Sequence, residues 1–249
     1  MDPTFLIFIV VGFLAQLVDG ALGMAFGVIS TTALLTFGFS PAHASAIVHT
    51  AEVFTTASSA ISHAIHRNLN RKLVLELAMA GVAGAIVGAY VLSNIDGRII
   101  RPFVAAYLLV LGLSILLRAL HPAPEQDISP AFATPLGVIG GFLDAIGGGG
   151  WGAIVTSTLI GSGHAPRMVI GSVNIAEFFV TVAAAATFFV QLGPIAMQPV
   201  LGLVIGGVIA APLGAYVVKR LPARPLMATV GLLVIGLSAY QIAKSFGSL

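Results

Sequence analysis

Gln16-Leu17-Val18-Asp19-Gly20-Ala21-Leu22-Gly23-Met24-Ala25-Phe26-Gly27 has a second version 125 residues downstream, Gly141-Phe142-Leu143-Asp144-Ala145-Ile146-Gly147-Gly148-Gly149-Gly150-Trp151-Gly152. Each copy breaks an apolar stretch with an aspartate and a set of glycines. A glycine inside a helix costs about 1 kcal/mol relative to alanine, so four in a row favour an interruption. The opening stretches 4–38 and 130–163 therefore each read as two short helical legs around a break. The register runs on outward: Pro41 falls on Pro166 and Glu52 on Glu177. With small shifts Gly88-Ala89-Tyr90 matches Gly214-Ala215-Tyr216, and Arg101-Pro102 matches Arg224-Pro225. Duplication of a hydrophobic unit, with polar residues at matched places, is a sequence mark of secondary transporters.

Composition sets the environment. Hydrophobic residues make up 58% of the chain and charged ones 8%, against about 25% charged in soluble domains. Long apolar runs between short charged turns are stable only in lipid. A net charge of +2 gives no footing for nucleic acid, and the absence of cysteine excludes disulfides, thiolate metal sites and thiol catalysis. Met1-Asp2-Pro3-Thr4 leads straight into apolar sequence, without the basic leader and small-residue cleavage site of a signal peptide.

A spanning helix needs roughly 20 apolar residues. The chain offers 41–64, 73–93, 99–119, 166–191, 195–218 and 225–243, besides the two broken openings. The expected fold is an all-α polytopic membrane protein of two repeats, 1–120 and 130–249, joined by a linker at 121–129. Charge bears on their relative orientation. If each opening stretch crosses once, the repeats are parallel and six of the eleven basic residues fall outside. If each goes in and returns, the repeats are inverted, and the inside holds Arg67, Arg71, Lys72, Arg118, Arg167, Lys219, Arg220 and Arg224, eight of eleven. The excess of basic residues in cytoplasmic loops favours inverted repeats of about five segments, with both termini outside. Whether the opening legs span fully or form re-entrant hairpins stays open at this stage.

Glu52 and Glu177 each stand eleven residues after a helix-opening proline, near mid-membrane, where a carboxylate costs about 2.5–3.5 kcal/mol to insert. Two at equivalent places point to function, and a carboxyl beside a cavity can exchange a proton, so both are candidate proton-coupling residues. Either can instead brace a broken helix. His49-x-x-Glu52 and Asn174-x-x-Glu177 put a further polar side chain on the same helix face. His49 and Asn174 are candidate substrate contacts, alongside a network role for the histidine. Asp19 and Asp144, each just before its glycines, are expected to cap the following leg. The glycines let backbone amides approach a ligand, and a helix N-terminus favours an anion. No Lys or Arg falls in a predicted membrane core. An anion would thus be held by amides at Gly23, Gly148 and Gly149, by Thr31, Thr156 and Ser157, and by the His49 and Asn174 side chains. Trp151 either walls the cavity or packs. Gly81, Gly84 and Gly88, with Gly202, Gly206 and Gly207, read as helix-packing faces.

With these residues the chain resembles the TauE/SafE sulfite exporter family, also called the 4-toluene sulfonate uptake permease family, over essentially its whole length. The paired Asp-and-glycine openings, the helix-opening prolines Pro41 and Pro166 and the paired glutamates carry the resemblance. It implies a multi-pass permease of the bacterial inner membrane for sulfite, an organosulfonate or a related sulfur oxyanion, often driven by protons. His49 opposite Asn174 makes the two half-sites unequal. The partners expected are a small inorganic or organosulfur anion, protons and the lipid bilayer, with a homodimer left open and no cofactor, resident metal or catalytic group. One alternative is a divalent-metal transporter using His49, Asp19, Glu52 and Glu177. An intramembrane enzyme is the other, though neither a His-Glu-x-x-His nor a Gly-x-Ser-x-Gly motif occurs.

Overall fold

The computed structural model describes residues 3–22, 24–65, 69–120, 132–161, 166–218 and 223–246. The linker at 121–129 and Gly23 lie outside them. Among the described residues the chain is all helical: α1 (Pro3–Leu22), α2 (Phe26–Thr36), α3 (Pro41–Ile65), α4 (Arg71–Ser93) and α5 (Gly97–Leu120) in the first half. The second half has α6 (Ala133–Gly147), a π-helical turn (Gly152–Thr156) continuing into α7 (Ser157–Gly161), then α8 (Pro166–Leu192), α9 (Met197–Val218) and α10 (Ala223–Phe246). Prolines open α3 and α8, where a missing N–H costs nothing. The Asn70 side chain caps α4 by accepting from the Lys72 and Leu73 amides at 3.0 and 3.2 Å.

Arg71–Ser93, Gly97–Leu120, Met168–Leu192 and Met227–Lys244 are long and apolar enough to cross a bilayer, which makes the chain a polytopic membrane protein. Helix α3 has the length at 25 residues, but polar side chains such as His49, Glu52, Thr55 and Thr56 lower its apolar character. Leu75, Met79, Phe103, Val110, Phe189 and Val190 are exposed, as a lipid-facing surface requires.

The opening pair of the first half turns back on itself. Helix α2, at 11 residues, is about 16 Å long, half the ~30 Å hydrocarbon core. Phe8, near the start of α1, meets Phe37 and Phe39, just past the end of α2, at ring-centroid distances of 5.4 and 6.2 Å. Both ends of this hairpin therefore sit at one level, with the break at its deep end.

Contacts between matched helices have a definite sense. Along α3, residues 49, 59 and 56 meet residues 188, 174 and 181 of α8: His49 lies on Phe188, Thr56 on Thr181 and Ser59 on Asn174. Ascending numbers on one helix meet descending numbers on the other, so α3 and α8 run antiparallel. The same holds for α5 and α10, where Gly112 lies against Val234 and Ile235 and Gly231 against Leu116. By contrast α1 runs parallel to α9, with Gly202 against Phe8 and Gly206 against Phe13. Helix α6 likewise runs parallel to α4, with Gly137 against Leu77 and Ala80 and Gly88 against Phe142 and Ala145. The glycines read as packing faces thus bring each opening helix against the fourth helix of the opposite half.

Candidate functional site

The two breaks meet at the centre of the molecule. The Thr31 hydroxyl of α2 donates to the carbonyl of Gly148. Gly27 and Gly149 are so close that a Cβ on either would collide with the other's backbone. A Cβ on Gly27 would also come within 2.8 Å of Glu52 Oε1. After α6 the chain continues through Gly148, Gly149 and Gly150 at φ of 70, 137 and 145°, a path that L side chains rarely take.

Each aspartate ties down its own break. Asp19 Oδ1 accepts from the Ala25 and Phe26 amides at 2.8 and 3.3 Å, at the start of α2. Asp144 Oδ1 accepts from the Trp151 amide at 2.9 Å, at the start of the second leg. Its other oxygen, Oδ2, faces His49 Nε2 at 3.1 Å, both side chains being buried. Trp151 is fully buried, packs on Gly81 and Gly140, and donates through Nε1 to the Val173 carbonyl at 3.3 Å.

Beside this junction lies a small, mostly polar cavity of about 20 Å³, lined by Gln16, Asp19, Met24, Ala25, Phe26, Gly27, Glu52, Thr55, Thr56, Ser59, Gly150, Gly152, Asn174 and Glu177. Glu52 is 4% exposed and Gln16 6%; among the described residues neither Glu52 Oε2 nor Gln16 Oε1 has a hydrogen-bond partner. Asn174 donates to the Ile170 carbonyl at 2.8 Å and accepts from Ser59 at 3.2 Å.

Of the residues singled out from sequence, Asp19, Glu52, Asn174 and Glu177 come together around this cavity. His49 does not line it, being turned to Asp144. Gly148, Gly149 and Thr31 form the contact between the breaks. Thr156 is buried with its hydroxyl unpartnered, and the Ser157 hydroxyl bonds to the Ala153 carbonyl of its own helix. Gly23 lies outside the described residues. Gln16, Thr55, Thr56 and Ser59 join the site without having been singled out. The signal for the last three was present, since positions three, four and seven after Glu52 share its helix face.

Among the described residues no lysine or arginine lines the cavity. Among the described residues no group of three or more His, Asp or Glu is placed to hold a metal ion, so the metal-transport alternative gains no geometric support. The arrangement provides neutral hydrogen-bonding groups together with carboxyls.

The sequence profile described as "Sulfite exporter TauE/SafE" matches residues 8–241. The chain belongs to this family. A TauE/SafE chain is expected to have transporters among its relatives, and two bear that description. It is 42% identical over 250 residues, 97% of this chain and 83% of the relative, to "Probable membrane transporter protein YtnM" of Bacillus subtilis (strain 168). It is 26% identical over 187 residues, 74% of this chain and 66% of the relative, to "Probable membrane transporter protein ORF9" of Sinorhizobium sp. No solved structure matches it. The family and these relatives identify a membrane transporter rather than an enzyme.

Proposed function

We propose that this protein is a proton-coupled secondary transporter of the bacterial inner membrane that moves a sulfur oxyanion, sulfite or an organosulfonate, by alternating access between inverted repeats. The family name supports the substrate class. The antiparallel pairing of α3 with α8 and of α5 with α10 supports the inverted relation, since matched helices of parallel repeats would run the same way about a common direction.

The observation that carries the coupling is the composition of the cavity wall: Glu52, Glu177 and Asp19 face it, and among the described residues no basic side chain does. An anion about 5 Å from one ionised carboxylate is repelled by about 3 kcal/mol at an effective dielectric constant near 20. Several such charges would exclude it. A proton taken up with the anion removes this repulsion at one glutamate, which makes the anion and the proton bind together. Glu52, with a free buried oxygen, is the foremost carrier, and Glu177 is its counterpart. Gln16, Asn174, Ser59 and Thr55 supply the neutral hydrogen bonds that orient the oxyanion.

Binding is testable in detergent. At 100 times its Kd a bound anion adds about 2.7 kcal/mol of stability. Sulfite or a short organosulfonate should therefore raise the thermal midpoint of the purified protein, more at pH 6 than at pH 8, while chloride at equal ionic strength should not. Equal effects of all three anions, or none from either sulfur compound, would contradict the assignment.

A further inference from the structure

The cavity lies on one side of the molecular centre only. On α3 it is lined by Glu52, Thr55, Thr56 and Ser59, toward the C-terminal end; on α8 by Asn174 and Glu177, toward the N-terminal end. Because the two helices are antiparallel, these are the same end of the molecule. It carries Arg71 and Lys72 at the start of α4, whose Asn70 amide bonds to Ser172 of α8 at 2.8 Å. By the distribution of basic residues this is the cytoplasmic side.

The opposite side is closed by a cluster that crosses between the halves. Ser45 Oγ donates to the Ala145 carbonyl at 2.6 Å. His49 Nδ1 lies 2.8 Å from the Ser45 carbonyl and 3.2 Å from its Oγ, while Nε2 meets Asp144 Oδ2 at 3.1 Å. Phe188 covers the imidazole with ring centroids 6.0 Å apart. Ser45, His49, Asp144, Ala145 and Phe188 are all buried.

The positions 125 residues away are different. Ser45 corresponds to Ile170, which has no side-chain hydrogen bond to give, and His49 corresponds to Asn174, which bonds within its own helix and to Ser59. The same place in the fold is therefore clasped in one half and open as a cavity in the other.

We propose that the Ser45–His49–Asp144–Ala145 clasp is the closed outer gate of the permeation path, and that a second vestibule opens behind it. That vestibule would be lined by the counterparts of the inner wall, with Asp144, His49 and Ala184 in the places that Asp19, Asn174 and Ser59 hold now. The unequal residues also set the balance between the two states: serine and histidine hold the outer side shut, while isoleucine and asparagine do not hold the inner side. This rests on the transport reading but not on the identity of the anion.

The chain has no cysteine, so single cysteines report without background. Ser59→Cys marks the inner cavity. Ala184→Cys, at a residue with 0% exposure, marks its counterpart behind the gate. Both are probed with a membrane-impermeant thiol reagent in inside-out and right-side-out vesicles. The expected pattern is reaction of S59C from the cytoplasmic side and silence of A184C. Adding His49→Asn, which gives α3 the residue of α8, should raise A184C labelling from the outer side roughly tenfold, the scale of a lost charge-assisted hydrogen bond, and slow S59C. Ser45→Ala should act in the same direction and deletes only one hydroxyl, so it serves if the histidine variant does not fold. The proposal is overturned if A184C stays silent in folded protein of both variants, or reacts from the same side as S59C. A protein that moves no sulfite would leave this labelling pattern intact, so the two failures can be told apart.

Discussion

Glu52 presents two unequal oxygens: Oε1 sits against Gly27 at the crossing of the breaks, and Oε2 is buried with no partner among the described residues. One side chain thus couples the packing of the centre to the cavity. Glu52→Gln keeps the shape and removes the exchangeable proton, so uptake driven by an imposed pH gradient should fall by at least about tenfold while the thermal midpoint changes little. A variant that loses flux and stability together would mark Glu52 as a brace instead. Gly27→Ala places a methyl group against Gly149 and Glu52 Oε1, and overpacking of this kind costs about 1–3 kcal/mol. Its thermal midpoint should drop even without ligand; an unchanged midpoint would mean that the two breaks do not touch as described. His49 teaches the limit of reading one helix face at a time. Spacing places it beside Glu52, but its ring turns to Asp144, 95 residues away, and nothing local in the sequence announces a partner on the other half.

At the scale of elements, the helices that begin at Pro41 and Pro166 were legible because proline fixes a start and an apolar run of bilayer length fixes the extent. The division of the opening stretches was not. Two short legs were expected, whereas α1 has 20 residues and α2 has 11. Glycines mark that a break occurs without fixing where each leg ends, and the re-entrant return depends on tertiary contacts, such as those of Phe8 with Phe37 and Phe39. The hydrogen bond from Thr31 to Gly148 joins the two broken openings across the centre. Thr31→Val leaves that buried carbonyl unpaired at a cost of about 1–3 kcal/mol. Hydrogen exchange should then rise at 148–152 more than in α4 or α5; a uniform rise would deny the two openings a specific bond.

The whole molecule is a pair of matched halves whose corresponding central helices cross antiparallel, with two broken opening segments meeting between them. Four carboxyls were recognisable from the repeat alone, but their division was not: Asp144 is engaged by His49, while Asp19, Glu52 and Glu177 face the cavity. The duplication shows which positions correspond, and only the packed structure shows which of two corresponding sites is open. On the proposed reading, anion movement is tied to proton movement through the glutamates, because among the described residues no positive side chain lines the cavity to balance the anion. The most direct test is the flux of labelled sulfite into proteoliposomes with and without an imposed pH gradient, for the unaltered protein, Glu52→Gln and Glu177→Gln. Gradient-driven flux that is lost in at least one variant is the result this account predicts. Sulfite flux indifferent to the gradient and unchanged in both variants would contradict it.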